Sequence, residues 1–172
     1  FPETYHFSKF TPETKIIRTM VDTFKEQISN AQLMQSAKES PLSWHEIITL
    51  ASLIEKETGL DSERKMISSV FHNRLRKNMR LQTDPTVIYA IEQFDGNIRK
   101  RDLKIDSPYN TYRYKGLPPG PIASPGIKSI VAAMSPIESD RLYFVSRQNG
   151  SHHFSSTLKE HNQAVQKYQL RR

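Results

Sequence analysis

The chain of 172 residues has no cysteine. That excludes a disulfide scaffold, a thiolate metal site and a cysteine nucleophile, and it leaves the compartment open. Long apolar runs are missing as well. No stretch approaches the roughly 20 residues that a membrane-spanning helix requires, and no signal-peptide pattern occurs within the chain. The chain, which starts without methionine, reads as a fragment or a processed form. HExxH, an acidic loop with calcium spacing, GxSxG, a phosphate loop and a dinucleotide fingerprint are all absent. His152, His153 and His161 are close in sequence, but neighbouring residues on a strand point to opposite faces. No metal and no cofactor are therefore expected, and either His152 or His153 reads as a packing or surface residue that could face a cleft. Glycine is scarce, at six residues, whereas ten prolines gather mainly in one middle segment.

What is present is positive charge and helical periodicity. The formal net charge of +7 suits an anionic partner, whether nucleic acid, a membrane surface or an anionic wall polymer. The strongest helix signal is Ser43 to Gly59. Ser43 and Glu46 form a capping box, and Ile47, Ile48, Leu50, Ala51 and Ile54 recur at helical spacing. Gly59 is expected as a left-handed residue just past the end. This helix presents Glu55 and Glu57 about 200° apart. Glu57 has Leu53, Ile54 and Leu50 behind it, a more apolar setting than Glu55 has with Ser52, Ala51 and Ile48. Burial raises a carboxyl pKa and suits a general acid, so Glu57 is favoured. The helical pattern is equally compatible with two solvated glutamates at a helix end. Glu55, Glu63 and Asp84 are the possible second carboxylates of a paired scheme. Glu63 would stay ionised at a helix start, and Asp84 would cap its own helix.

The remaining elements follow from caps, turns and periodicity. FPETYHF is an extended start, expected as a short strand. Thr11-Pro12 caps a helix to about Ser29, with Ile16, Ile17, Met20, Val21, Phe24 and Ile28 on it. Residues 30–41 fit helix or loop. Asp61 or Ser62 caps a helix to about Lys77, with Met66, Ile67, Val70, Phe71 and Leu75 inward. Its Arg64, Lys65, Arg74, Arg76 and Lys77, with Arg80 beyond, read as a solvated basic face or as a surface steering a polyanion. Asp84-Pro85 starts a short helix, Phe94 to Asn97 forms a turn, and Ser124-Pro125 caps another helix through Met134. Arg141 to Ser146 and His152 to Ser155 form a hairpin around Asn149-Gly150, and Leu158 to Leu170 closes the chain as a helix. The fold expected is α+β, mostly helical, with a small antiparallel sheet that includes the 141–155 hairpin, in a single domain.

Asp106 to Gly126, rich in proline and glycine, is too long for a plain connection. Its Tyr109, Asn110, Thr111, Tyr112 and Tyr114 combine flat faces with hydrogen-bonding groups, a mixture suited to sugar rings. A merely rigid surface loop explains the composition equally well. If functional, the Tyr109–Tyr112 part should wall a cleft containing Glu57.

ASLIEKETG, SER, HNRL, MRLQTDPTVIYA, SPYNTY, GLPPGPIASPG, LYFV and EHN occur in this order. Together they resemble the catalytic domain of the endolytic murein transglycosylases, the MltG or YceG-like family, from about Ile47 to Tyr168. Arg99-Lys100-Arg101 and residues 135–140 depart from the pattern as surface variation. The resemblance implies non-hydrolytic cleavage of peptidoglycan between N-acetylmuramic acid and N-acetylglucosamine, with 1,6-anhydro ends. It implies Glu57 as the essential acid and base, with Gln82, Asp84, Tyr109, Asn110, Thr111 and Tyr112 as substrate contacts. Glu55 is left a structural or supporting part. The implied partners are glycan strands and cell-wall synthesis proteins, not nucleic acid. The implied location is the periplasmic or extracytoplasmic face of the inner membrane, through an N-terminal membrane helix and a LysM-like region outside this chain. A hydrolytic muramidase and a non-catalytic polymer-binding module are the competing readings.

Overall fold

The computed structural model describes residues 1–170, apart from the side chains of residues 31 and 32. The described elements run α1 (Glu13–Ile28), α2 (Ala31–Glu39), α3 (Trp44–Glu57), α4 (Asp61–Arg76), α5 (Asp84–Tyr89), α6 (Ile127–Met134), β1 (Tyr143–Ser146), β2 (His152–Ser155) and α7 (Leu158–Val165). The architecture is α+β and mostly helical. Its antiparallel hairpin pairs Tyr143 with Ser155 and Ser146 with His152. No described helix is long and apolar enough to cross a membrane.

Helix α3 occupies the centre. Ile47, Leu50, Ala51, Leu53 and Ile54 have no exposed surface. They pack against Ile67 and Phe71 of α4, Leu81, and Ile130 and Ala133 of α6. Apolar burial of this kind stabilises by roughly 1.5–3 kcal/mol per large side chain. The hairpin closes one end through Phe144, whose ring meets Phe71 edge-on at a centroid distance of 6.0 Å. Both halves of the Ser43–Glu46 capping box are formed.

The polar residues of α3 hold the proline-rich stretch. His45 Nε2 bonds the carbonyl of Pro119 at 2.7 Å, and Ser52 Oγ accepts the Ile122 N–H at 3.0 Å. Glu55 Oε2 accepts from Ser129 Oγ at 2.6 Å, the Gly126 N–H at 3.2 Å and Arg64 Nη1 at 3.4 Å. Positions 45, 52 and 55 share one flank of a helix. Glu55 is thus a cross-link among α3, α4 and α6, which is the supporting part expected of it.

Several local expectations shift. Gly59 is not left-handed, because α3 ends through an extended Thr58, φ −145°, that turns the chain directly into α4. Helix N-caps fall on Pro12, Leu60, Thr83 and Gly126 in place of Thr11, Asp61 or Ser62, Asp84 and Ser124, and none of the four makes a side-chain cap bond. The displaced polar groups have other partners. Thr11 pairs with Ser8, Asp61 with Arg64 and Lys128, and Asp84 with Tyr112. FPETYHF forms no strand. Residues 31–39 are helical, which decides the stretch left open. The closing helix passes into a π-turn, Gln166–Leu170, a wider winding of the kind found at functional sites.

Arg64 and Arg74 do not belong to a solvated face. Both are buried. Arg74 Nε donates to the Leu142 carbonyl at 2.6 Å, Nη1 donates to the Leu81 carbonyl at 2.7 Å, and the guanidinium stacks 5.1 Å from the Tyr143 ring. Its neighbour Asn73 donates to the carbonyls of Ser139 at 2.9 Å and Arg141 at 2.8 Å. The HNRL motif therefore fastens the approach to β1 onto α4.

The α3 cap and core generate a stability prediction. Ser43→Ala should cost about 1 kcal/mol and Leu50→Ala about 2–5 kcal/mol, read as shifts of the denaturant midpoint with an unchanged slope.

Candidate active site

Glu57 is the last residue of α3, and its carboxyl group opens into a cavity of about 500 Å³, a volume that fits a sugar-sized ligand. Five segments supply the rest of the wall. Arg74 comes from α4, Gln82 and Asp84 from the start of α5, Tyr143 to Ser146 with His152 from the hairpin, and His161 with Asn162 from α7. Tyr112 completes it from the long loop.

The Glu57 carboxyl accepts a hydrogen bond from Thr83 Oγ1 through Oε1, and no described residue bonds Oε2. Burial pushes its pKa above the ordinary carboxyl range. The Thr83 hydroxyl pulls it down, the Asp84 carboxylate pushes it up, and His152 and Arg74 pull it down more weakly. Removal from water is the largest cause. The carboxyl therefore holds its proton to higher pH than a surface glutamate does, with Oε2 free to give it up.

Thr83 is placed with care. The preceding Gln82 has φ +50°, a left-handed conformation that costs on the order of 1–3 kcal/mol in a residue other than glycine. Two clamps hold it there: Arg74 on the Leu81 carbonyl, and the Gln82 N–H on the Thr111 carbonyl at 3.1 Å. Thr111 Oγ1 accepts the Thr83 N–H at 3.1 Å and bonds Thr86 Oγ1 at 2.8 Å. Asn110, fully buried, gives its amide to the carbonyls of Leu103 at 3.1 Å and Ile105 at 2.8 Å and accepts the Tyr112 N–H at 2.9 Å. The chain then delivers Tyr112, whose hydroxyl donates to Asp84 Oδ1 at 2.5 Å. Burial, with that bond second, raises the Tyr112 pKa well beyond its usual value, so it remains a neutral donor.

The expected substrate contacts thus divide. Gln82, Asp84 and Tyr112 share the cavity with Glu57. Asn110 and Thr111 are buried and do not line it, and their polar groups are committed to backbone and to Thr86. Tyr109 turns away and packs against Tyr89 at 4.8 Å and beside Gly120. The cleft wall expected from Tyr109–Tyr112 reduces to Tyr112 alone. The Pro119–Gly126 part of the loop lies on the Glu55 flank, about half a helical turn from the site.

Thr83, Arg74, His161 and Asn162 line or serve the cavity without having been assigned to it from sequence, and of the two histidines that could face a cleft it is His152 that does. Thr83 lay inside the quoted MRLQTDPTVIYA, and Arg74 inside HNRL, but a buried arginine and a solvated one look alike in a helical pattern. His161 stacks on Tyr143 at 5.2 Å, and its Nδ1 is buried with no partner among the described residues. Burial, then the Arg74 charge, lowers its pKa below the ordinary histidine value. No group of three or more histidine, aspartate or glutamate side chains among the described residues could hold a metal ion.

Comparison with known proteins agrees with the quoted motifs. Residues 1–167 match the model of the YceG-like family. The chain belongs to the YceG-like family. It is 46% identical over 169 residues to an endolytic murein transglycosylase of Bacillus subtilis, covering 98% of this chain and 46% of that protein. An endolytic murein transglycosylase of Streptococcus pneumoniae is 34% identical over 171 residues, covering 96% of this chain and 31% of that protein. The crystal structure of a yceG-like protein from Listeria monocytogenes superposes with a TM-score of 0.85 at 44% identity, over 95% of this chain and 52% of that one. The chain spans less than half the length of the curated relatives it matches.

The environment of Glu57 sets the sign of a pH effect on this YceG-like chain. A carboxyl with a raised folded pKa binds more protons folded than unfolded between its ordinary value and the raised one. Stability therefore falls as pH rises through that window. Glu57→Gln should unfold at higher denaturant than the parent at pH 8. The difference should vanish at a pH below the ordinary carboxyl range, where both folded and unfolded Glu57 are protonated.

Proposed function

We propose that the chain is the catalytic domain of an endolytic peptidoglycan lytic transglycosylase, cutting between N-acetylmuramic acid and N-acetylglucosamine and leaving 1,6-anhydro ends. The observation that carries this is the Glu57 carboxyl: desolvated, held through one oxygen by Thr83, and open through the other to a sugar-sized cavity. The names of the relatives from Bacillus subtilis and Streptococcus pneumoniae support the reaction class.

Glu57 gives its proton to the glycosidic oxygen as the bond to the anomeric carbon breaks. The 6-hydroxyl of the muramoyl residue attacks that carbon, and the proton it releases returns to the Glu57 carboxylate. Because the nucleophile belongs to the substrate, one carboxyl suffices, unlike the paired schemes of glycoside hydrolysis. Asp84 is engaged by Tyr112 and is assigned to binding together with Gln82 and Tyr112. The buried Arg74 and the neutral His161 border the far side of the cavity. The chain works on glycan strands at the extracytoplasmic face of the membrane, near the wall-synthesis proteins that supply them.

Mass spectrometry of peptidoglycan digested with the protein tests this. Anhydro-muramoyl ends are expected. Glu57→Gln should lower the cutting rate by about a hundredfold or more. The rate of the parent should fall as pH rises through the raised Glu57 pKa, since only the protonated carboxyl donates. Reducing ends in place of anhydro ends would establish a muramidase. No cutting, together with salt-sensitive binding of an anionic polymer, would leave a binding module.

A further inference from the structure

His152 opens β2 and Glu63 lies in the first turn of α4, and the fold brings them together at the edge of the cavity. The His152 N–H donates to Glu63 Oε1 at 2.9 Å, and ring Nδ1 bonds Oε2 at 2.7 Å. The two side chains are only 12% and 14% exposed. A carboxylate accepts and does not donate, so Nδ1 carries the proton. In the neutral form of the ring, Nε2 then holds the lone pair. Phe144 stands edge-on to the ring at 5.4 Å, and Phe154 lies 6.4 Å away. The ring thus has a set tautomer and a set plane. Nε2 has no partner among the described residues and is not sealed off, and the ring lines the same cavity as Glu57. The hydrogen bond to Glu57 comes from Thr83, so this pair is not needed to hold the acid.

We propose that Nε2 of His152 receives the hydrogen bond of the attacking 6-hydroxyl and turns its oxygen toward the anomeric carbon, with Glu63 as the positioning residue that sets the tautomer. This rests on the transglycosylase reading above. The C1–O bond to the leaving sugar breaks as Glu57 protonates that oxygen, and the C1–O6 bond forms. The O6 proton passes to Nε2, where Glu63 stabilises the imidazolium, and from there to the Glu57 carboxylate. Both groups end as they began. The pair therefore decides which nucleophile reaches the anomeric carbon, the substrate's own hydroxyl or water.

The ratio of anhydro to reducing ends reads this out separately from the rate. His152→Ala should lower the cutting rate by about a hundredfold and raise the share of reducing ends at the expense of anhydro ends. Glu63→Gln should shift the ratio in the same direction by less. His152→Gln, whose amide oxygen accepts a hydrogen bond but takes no proton, should recover the anhydro share without recovering the rate. A His152→Ala protein that cuts slowly but keeps the parental ratio would overturn the proposal. If that variant does not fold, nitrogen NMR of the Glu57→Gln protein decides: a His152 Nε2 resonance that moves when glycan is added supports the proposal, and one that stays still overturns it. A parent that forms no anhydro ends sinks the transglycosylase reading itself, whereas failure of the ratio test sinks only the part given to His152.

Discussion

Burial of α3 is the constraint on which the rest of this molecule depends. A helix packed against α4, α5 and α6 cannot leave buried polar groups without partners, since each unmet group costs about 1–3 kcal/mol. On its Glu55 flank, His45 and Ser52 take the proline-rich stretch, and Glu55 takes Ser129, Gly126 and Arg64. These bonds turn an irregular segment of the chain into a fixed wall. Glu57, on the other flank, is the exception. It has one hydroxyl partner and an open cavity, and its carboxyl is desolvated without an ion-pair partner among the described residues. The same burial that stabilises the fold keeps this one group protonated to higher pH than a surface glutamate.

A second buried group organises the floor of the site. Arg74 joins the Leu142 carbonyl to those of Arg80 and Leu81. It ties the approach to β1 to the turn that carries Gln82 and Thr83. Burial lowers its pKa from the usual guanidinium value, yet the cation persists on its carbonyl partners and the Tyr143 ring. Left-handed Gln82 is the local strain that this tie supports, and the gain is the placement of Thr83 against Glu57. Asn110 and Thr111 do related work from below. Sequence reading put both in contact with substrate, whereas their polar atoms hold backbone, so what they contribute is the position of Tyr112.

Sequence alone was enough for the helices, the hairpin, the capping box and the placing of Glu57 and Glu55 on different flanks of α3. Periodicity, cap chemistry and turn residues are local properties, and the flank of a helix on which a residue lies is computable from its number. The order of the motifs was enough for the family. What only the tertiary structure decided is which of the remaining polar residues meet. Arg64 and Arg74 read as solvated because an amphipathic pattern does not distinguish a buried arginine held by carbonyls from one in water. Glu63 and His152 stand 89 residues apart, and their pairing follows from the hairpin folding back over the start of α4. Tyr109 and Tyr112 are close together in one long loop, yet Tyr112 lines the cavity whereas Tyr109 packs against Tyr89. Contacts between distant segments arise from packing, and packing has no signature in any one stretch of the chain.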